Sequence, residues 1–262
     1  MASTDAPVDD AWRSFFRERA TADVRAFVDR YPDERSLYVD VFDLHRFDAD
    51  LVDRLFSDPD GVLEAGTGVL RAAYDDLGRF NLRLRNLPSQ LSLGAVRARH
   101  VSKIVSVDGL VETVGPVEVS ATEAAFVCDA CGATEHANPR GMELAVPSHC
   151  AECGAAGAVS LDRDRSTFVD VQRVVLGGAD EASATMVVFL DDDLVDTVEP
   201  GEALRVTGVV RLSPHDGENR FALYLDGLTV DEEAPGPATD DRDVDEQLKE
   251  SIRSRWEFVV GE

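Results

Sequence analysis

The sequence predicts an α+β chain: a helical bundle first, then a small closed β-barrel interrupted by a cysteine-bearing insert. Three observations predict it. Apolar residues recur at three- and four-residue spacing up to residue 78, then switch after residue 80 to β-branched runs broken by turns. All four cysteines fall as two C-x2-C pairs between the early and the late strand-like segments. Hydrophobic residues make up 44% of 262, enough to bury a core for one or two domains without staples. The longest run of large apolar residues is five, Met186 to Leu190, against the roughly 20 needed to span a bilayer. Met1 to Asp10 is polar and acidic, unlike a secretory signal. A cytoplasmic location is expected, with no membrane partner.

Trp12, Phe15, Phe16, Val24, Phe27, Val28 and Tyr31 form one apolar stripe, which Pro32 ends. Leu37, Val39, Val41 and Leu44 alternate as an extended segment. Leu51, Val52, Leu55 and Phe56 make a second helical stripe, and Val62 to Leu77 a third, ended by Gly78. Strands follow around Val101–Val111, Val159–Val175, Met186–Leu190, Leu204–Leu212 and Phe221–Val230. The turn His215–Asn219 joins the last two as a hairpin. Five strands with one large insert fit an OB-fold. Residues 231–247 read as an acidic linker, and Val244, Leu248, Ile252 and Trp256 as one stripe of a short helix that must dock on something. The expected division is 1–85 helical bundle, 86–122 plus 158–230 OB-fold, 123–157 insert, and 231–262 linker and helix.

Charge is the unusual feature. There are 51 acids against 26 bases, a net charge of −25. Only Lys103 and Lys249 are lysines. This bias reads as adaptation to high salt, so net charge alone does not exclude a polyanionic partner. Local charge says more. No acid occurs from Leu77 to Val107, a window holding Arg79, Arg83, Arg85, Arg97, Arg99 and Lys103. It reads as a polyanion-facing surface, or as bases that pair with acids elsewhere in the fold.

The pairs Cys128/Cys131 and Cys150/Cys153 offer four thiolates to one tetrahedral Zn²⁺. Gly132 and Gly154 each follow the second cysteine of a pair. Such a site is closed, hence structural. His136 and His149 are expected to be bystanders. Catalytic residues are expected to be absent: no phosphate-binding G-x-x-x-x-G-K-[ST], G-x-S-x-G or H-E-x-x-H is present. The run Asp191-Asp192-Asp193 reads as a solvated turn rather than a cation site.

The order of these segments carries a resemblance. Leu84–Pro88, Val96–Val111, the cysteine ribbon, Ser166–Gln172, Asp191–Asp196, Glu199–Gly201 and Val206–Val210 follow one another as in the N-terminal region of the archaeal minichromosome maintenance (MCM) replicative helicase, over roughly residues 10 to 230. With the acidic composition this points to a haloarchaeal setting. The resemblance implies a DNA-binding and ring-assembly module without its own catalysis. Its expected partners are DNA, single-stranded preferred, and further MCM-type subunits in a hexameric ring, with no small-molecule substrate. The family's AAA+ motor domain is not in this sequence. The resemblance also places Cys128, Cys131, Cys150 and Cys153 at the zinc ligands. It places Arg97 and Lys103 on the first barrel strand and Arg211 and Arg220 flanking a channel hairpin; with Arg99 of the acid-free window these are the candidate DNA contacts. Glu112, Thr113, Glu118 and Ser120 stand where the family carries bases, and the hairpin tip holds Asp216 and Glu218. The segment from Gln172 to Asp191 is shorter than expected. These departures suggest the alternative of a divergent regulatory relative that docks on the genuine helicase. Six phosphate contacts would lose roughly 10⁵- to 10⁷-fold in affinity between ~0.1 and ~2 M salt. Binding at high salt would need ring avidity or base stacking, for which Phe126, Phe168, Phe189, Phe221 and Tyr224 are candidates, most of them expected in the core.

Overall fold

A computed structural model describes residues 7–88, 91–139, 144–178, 184–214, 220–231 and 246–260. The first layer holds α1 (Val8–Glu18), α2 (Thr21–Arg30), β1 (Ser36–Asp40), α3 (Val41–Phe47), α4 (Ala49–Ser57), α5 (Pro59–Ala73) and β2 (Asn81–Arg85). Three consecutive helices begin at an aspartate. Asp40 accepts from the N–H groups of Phe42 and Asp43, Asp48 from those of Asp50 and Leu51, and Asp58 from that of Gly61. Trp12, Phe15 and Phe16 of α1 are buried, with Trp12 stacked on Phe16 at 5.0 Å and its Nε1 donating to Val62 O across α5.

Local chemistry adjusts two expectations. The single stripe ending at Pro32 is two helices, because the Thr21 hydroxyl donates to Arg17 O and diverts a carbonyl that would continue the ladder. The extended segment stops at Asp40: once its carboxylate caps α3, Val41 and Leu44 point into the core from a helix. What precedes them, β1, pairs in parallel with β2, so the helical layer contains a two-stranded sheet.

The second layer is a closed barrel. Its strands are β3 (Ile104–Cys128), β5 (Val159–Gly177), β6 (Thr185–Asp191), β7 (Ala203–Pro214) and β8 (Phe221–Asp231), with β4 (Thr134–Ala137) added beyond the barrel. The order is β4-β3-β5-β6-β8-β7, and β7 returns to β3, with only β6–β8 parallel. That closure removes the sheet edges, as in the predicted OB-fold. Gly208 permits a close approach of backbone: a Cβ there would lie 2.4 Å from Asp226 O, beside a bulge in β7. β3 and β5 outrun the barrel as a long two-stranded arm that bears the cysteines.

One apolar core runs through both layers, from Trp12 and Leu84 to Leu176 and Leu225. It also takes in the last helix, α6 (Glu246–Val260). Ile252, Trp256 and Val260 are buried, α6 packs on α3 and α4, and Trp256 Nε1 donates to Ile104 O at 3.0 Å. Leu248, Ile252 and Trp256 of the expected stripe dock on their own chain, and Val244 lies outside the described residues. No helix among the described residues is long and apolar enough to cross a membrane.

Candidate metal centre and nucleic-acid interface

At the end of the β3–β5 arm, each cysteine pair folds into the same turn. Gly132 N donates to Cys128 O and Gly154 N to Cys150 O, while Cys128 N and Cys150 N donate to Ala133 O and Ala155 O. Gly132 and Gly154 stand at φ +73° and +71°, where a side chain would be strained. The two turns face each other. Cys128 Sγ lies 3.7 Å from Cys153 Sγ, Cys131 Sγ lies 3.7 Å from Cys150 Sγ, and all four sulfurs lie within 4.8 Å of one another. A tetrahedral ion with ~2.3 Å metal–sulfur bonds sets its sulfurs about 3.8 Å apart, whereas a disulfide needs ~2.05 Å. The geometry can therefore hold one metal ion. The Cys150 pKa is drawn down to about 7, chiefly by the N–H of Cys153. The N–H of Ala133 draws Cys131 down, but the Cys153 thiol, burial and the other two thiols push it up to about 12. His136 pairs with Glu123 and His149 with Ser148, outside the sulfur cluster.

The cations of the acid-free window divide by position. Arg83 on β2 is 1% exposed. Its guanidinium donates to Ser36 Oγ, Leu228 O and Asp191 O and pairs with Asp193. Arg79 pairs with Asp191, and Arg85 lies 3.7 Å from the Tyr38 ring centroid. Asp192 is buried, bonded to Asn81 and paired with Arg35 at 2.7 Å. The run Asp191–Asp193 is thus not a solvated turn. It is the barrel half of an ionic seam with the helical layer, and Arg83 with its neighbours draws the Asp193 carboxyl below its usual range against the opposing effect of burial.

Arg97, Arg99 and Lys103 precede β3 rather than lying on it. Arg97 and Arg99 are exposed on a short 3-10 turn, Ala98–His100, and Lys103 is half-exposed. Buried His100 holds that turn, its Nδ1 accepting from Arg97 N at 2.9 Å. The turn is stitched to the root of the β7–β8 hairpin: Ser102 N donates to Val210 O and Val210 N to Lys103 O. Arg220 is exposed on the same hairpin.

Arg211 changes role. Its two Nη atoms donate to Asp60 at 2.7 and 2.6 Å and its Nε and Nη2 reach Asp226 at 3.3 and 3.2 Å, leaving its side chain 14% exposed. These carboxylates raise its pKa despite burial, and burial raises that of Asp226. It clamps the hairpin to α5 instead of facing a ligand. Neither partner was legible: Asp60 lies 151 residues away in sequence. Glu112 and Glu118 are exposed on β3. Asp216 and Glu218 lie outside the described residues, as do residues 179–183 of the segment between Gln172 and Asp191. Of the candidate stacking aromatics, Phe126 and Tyr224 are buried, Phe189 packs edge-on against Tyr224, and Phe168 and Phe221 are exposed.

Residues 92–214 match the family model of the MCM OB domain. Over 86% of its length the structure superposes on 98% of a crystal structure of the N-terminal domain of an archaeal MCM, with TM-score 0.72 and 26% identity. The architecture matches that of an archaeal MCM N-terminal domain. A minichromosome maintenance protein MCM of Saccharolobus solfataricus is 20% identical over 85% of the chain and 36% of its own length. The replication licensing factor MCM4 of Arabidopsis thaliana is 28% identical over 80% of the chain and 28% of its own length. The chain therefore spans about a third or less of these MCM relatives. The cysteine-bearing arm lies at the far end of β3, and the cation-bearing turn immediately precedes its start.

Proposed function

We propose that the chain is an MCM-type DNA-binding and ring-assembly module of DNA replication, with no chemistry in its own residues. One observation carries the reading: on an MCM OB barrel, the Arg97/Arg99/Lys103 turn is hydrogen-bonded to the root of a hairpin bearing Arg220. These groups supply phosphate contacts without base specificity. The division 1–85, 86–122 plus 158–230, 123–157 and 231–262 is kept as the proposed domain plan, with 246–260 packed on the helical layer. Cys128, Cys131, Cys150 and Cys153 would hold a structural Zn²⁺, whose chemistry is confined to bracing the arm. Chelation is expected to release one zinc per chain and to unfold the arm before the barrel. A melt unchanged after complete zinc removal contradicts that role.

The deciding experiment is anisotropy of labelled single-stranded DNA from ~0.1 to ~3 M KCl, with sedimentation of the same samples. Binding that tracks a ring-sized species supports the module. A folded chain that binds at no salt overturns it. The second reading, a regulatory relative that docks on MCM subunits, is favoured by the engagement of Arg79, Arg83 and Arg211 with internal carboxylates. It predicts the latter outcome together with co-sedimentation with an MCM ring.

A further inference from the structure

The β7–β8 hairpin presents an apolar face that the barrel does not cover. In its register Arg211 pairs with Tyr224, Leu212 with Leu223, and Pro214 with Phe221. Alternation along the strands puts Leu212, Leu223 and Phe221 on one face and Arg211 and Tyr224 on the other. The second face is internal: Tyr224 is buried and Arg211 is clamped by Asp60 and Asp226. The first opens to solvent as it leaves the core. Leu223 is partly packed, Leu212 is 41% exposed and Phe221 is 53% exposed.

This face rises from the point where the 3-10 turn is stitched on, since Val210 is bonded to both Ser102 and Lys103. Exposed Arg97 and Arg99 and half-exposed Lys103, whose Nζ also donates to Ser57 O, thus stand on a turn bonded to the strand that carries Leu212, in a hairpin that also carries Phe221. In a chain of net charge −25 such a set fits a ligand with both negative charge and flat apolar faces. Three phosphate contacts to a single strand give a salt slope of only about −2. Stacking on an aromatic ring tolerates any base and is not screened by salt as an ion pair is.

We propose that Phe221, flanked by Leu212, is a base-stacking contact for single-stranded nucleic acid, with Arg97, Arg99 and Lys103 engaging the adjoining phosphates. The assignment rests on the DNA-binding reading above. It adds that affinity is divided between a salt-sensitive turn and a salt-tolerant hairpin face. Arg211 acts on this site only through position, by holding the hairpin root against α5.

The test compares the full chain with its Phe221→Ala and Phe221→Trp variants. The probes are a fluorescein-labelled oligothymidylate and an abasic oligomer of equal length and charge, at ~0.1 and ~1 M KCl. Phe221→Ala is expected to weaken oligothymidylate binding roughly five- to a hundred-fold at both salts, the range for one stacked base, leaving the salt slope unchanged. The abasic oligomer should bind both proteins alike and more weakly than oligothymidylate binds the parent chain. Phe221→Trp should keep binding, and its fluorescence should be quenched by bases. The two natural tryptophans, Trp12 and Trp256, are fully buried and supply a steady background. Equal affinities of parent and Phe221→Ala at low salt overturn the stacking contact while leaving the DNA-binding reading intact. No binding by the folded parent at either salt overturns both. Unchanged DNA affinity with a smaller sedimenting species for Phe221→Ala would assign the face to subunit contact instead.

Discussion

Residues 79–85 and 97–103 carry three cations each, within one acid-free stretch, yet the fold puts them to opposite uses. Arg83 sits on β2 between the helical layer and the barrel, almost fully buried, with three aspartates of the β6 end across from the strand. Arg97 and Arg99 sit on a surface turn, where Arg97 finds only backbone carbonyls. The number of cations is the same in both. What differs is whether the backbone carries the side chain into a layer boundary. A guanidinium that enters a boundary must be paired there, because an unpaired buried charge costs several kcal/mol. One that stays outside remains available to a ligand.

The sharpest way to break this contrast is Arg83→Ala. It removes five described polar contacts at once and takes from Asp193 its guanidinium partner. A loss of about 3–5 kcal/mol is expected, read by denaturant unfolding at fixed KCl. Arg97→Ala should cost less than about 0.5 kcal/mol in the same measurement. Equal losses would dissolve the distinction. Arg83→Lys should recover little, since an ammonium cannot reach Ser36, Leu228 and Asp193 together as the planar fork does.

Arg99→Ala and Lys103→Ala test the other half. Each should leave stability near that of the parent and lower the magnitude of the salt slope for single-stranded DNA by roughly 0.7. A slope that does not move, with binding intact, would take the turn out of the interface.

How far the sequence carried this contrast is instructive. The cysteine turns and the barrel strands were legible because each depends on neighbours within a few residues or on a period of two. The caps at Asp48 and Asp58 are just as local, yet the apolar stripes beyond them did not mark them. The seam was not. Arg83 and Asp193 are 110 residues apart, and nothing near either one marks the other. Arg211 misled for the same reason, because flanking a hairpin is a local fact while meeting Asp60 is a tertiary one. The last helix was half legible: its stripe demanded burial, but only the fold could supply Ile104 O for Trp256 and Asp53 for Arg255.

That last pair gives the smallest expected effect and extends the comparison to pH. His45 of α3 stands near Arg255 of α6 and Asp53 of α4, and both its ring nitrogens are buried without a hydrogen-bond partner among the described residues. Burial first, and Arg255 second, lower its pKa, against the opposing pull of Asp53. The folded state therefore favours neutral imidazole. Its contribution is whole above the ordinary histidine value of about 6.5 and is lost as pH falls through the lowered one. The seam behaves differently. The lowered pKa of Asp193 keeps its contribution until pH drops below the ordinary carboxylate range near 4. Melts at pH values from about 7.5 to 5 should thus show a modest decline that His45→Gln flattens and Arg83→Lys does not. A decline in that window that survives His45→Gln would place the titrating group elsewhere, with buried His100, whose pKa burial also lowers, next to be tested.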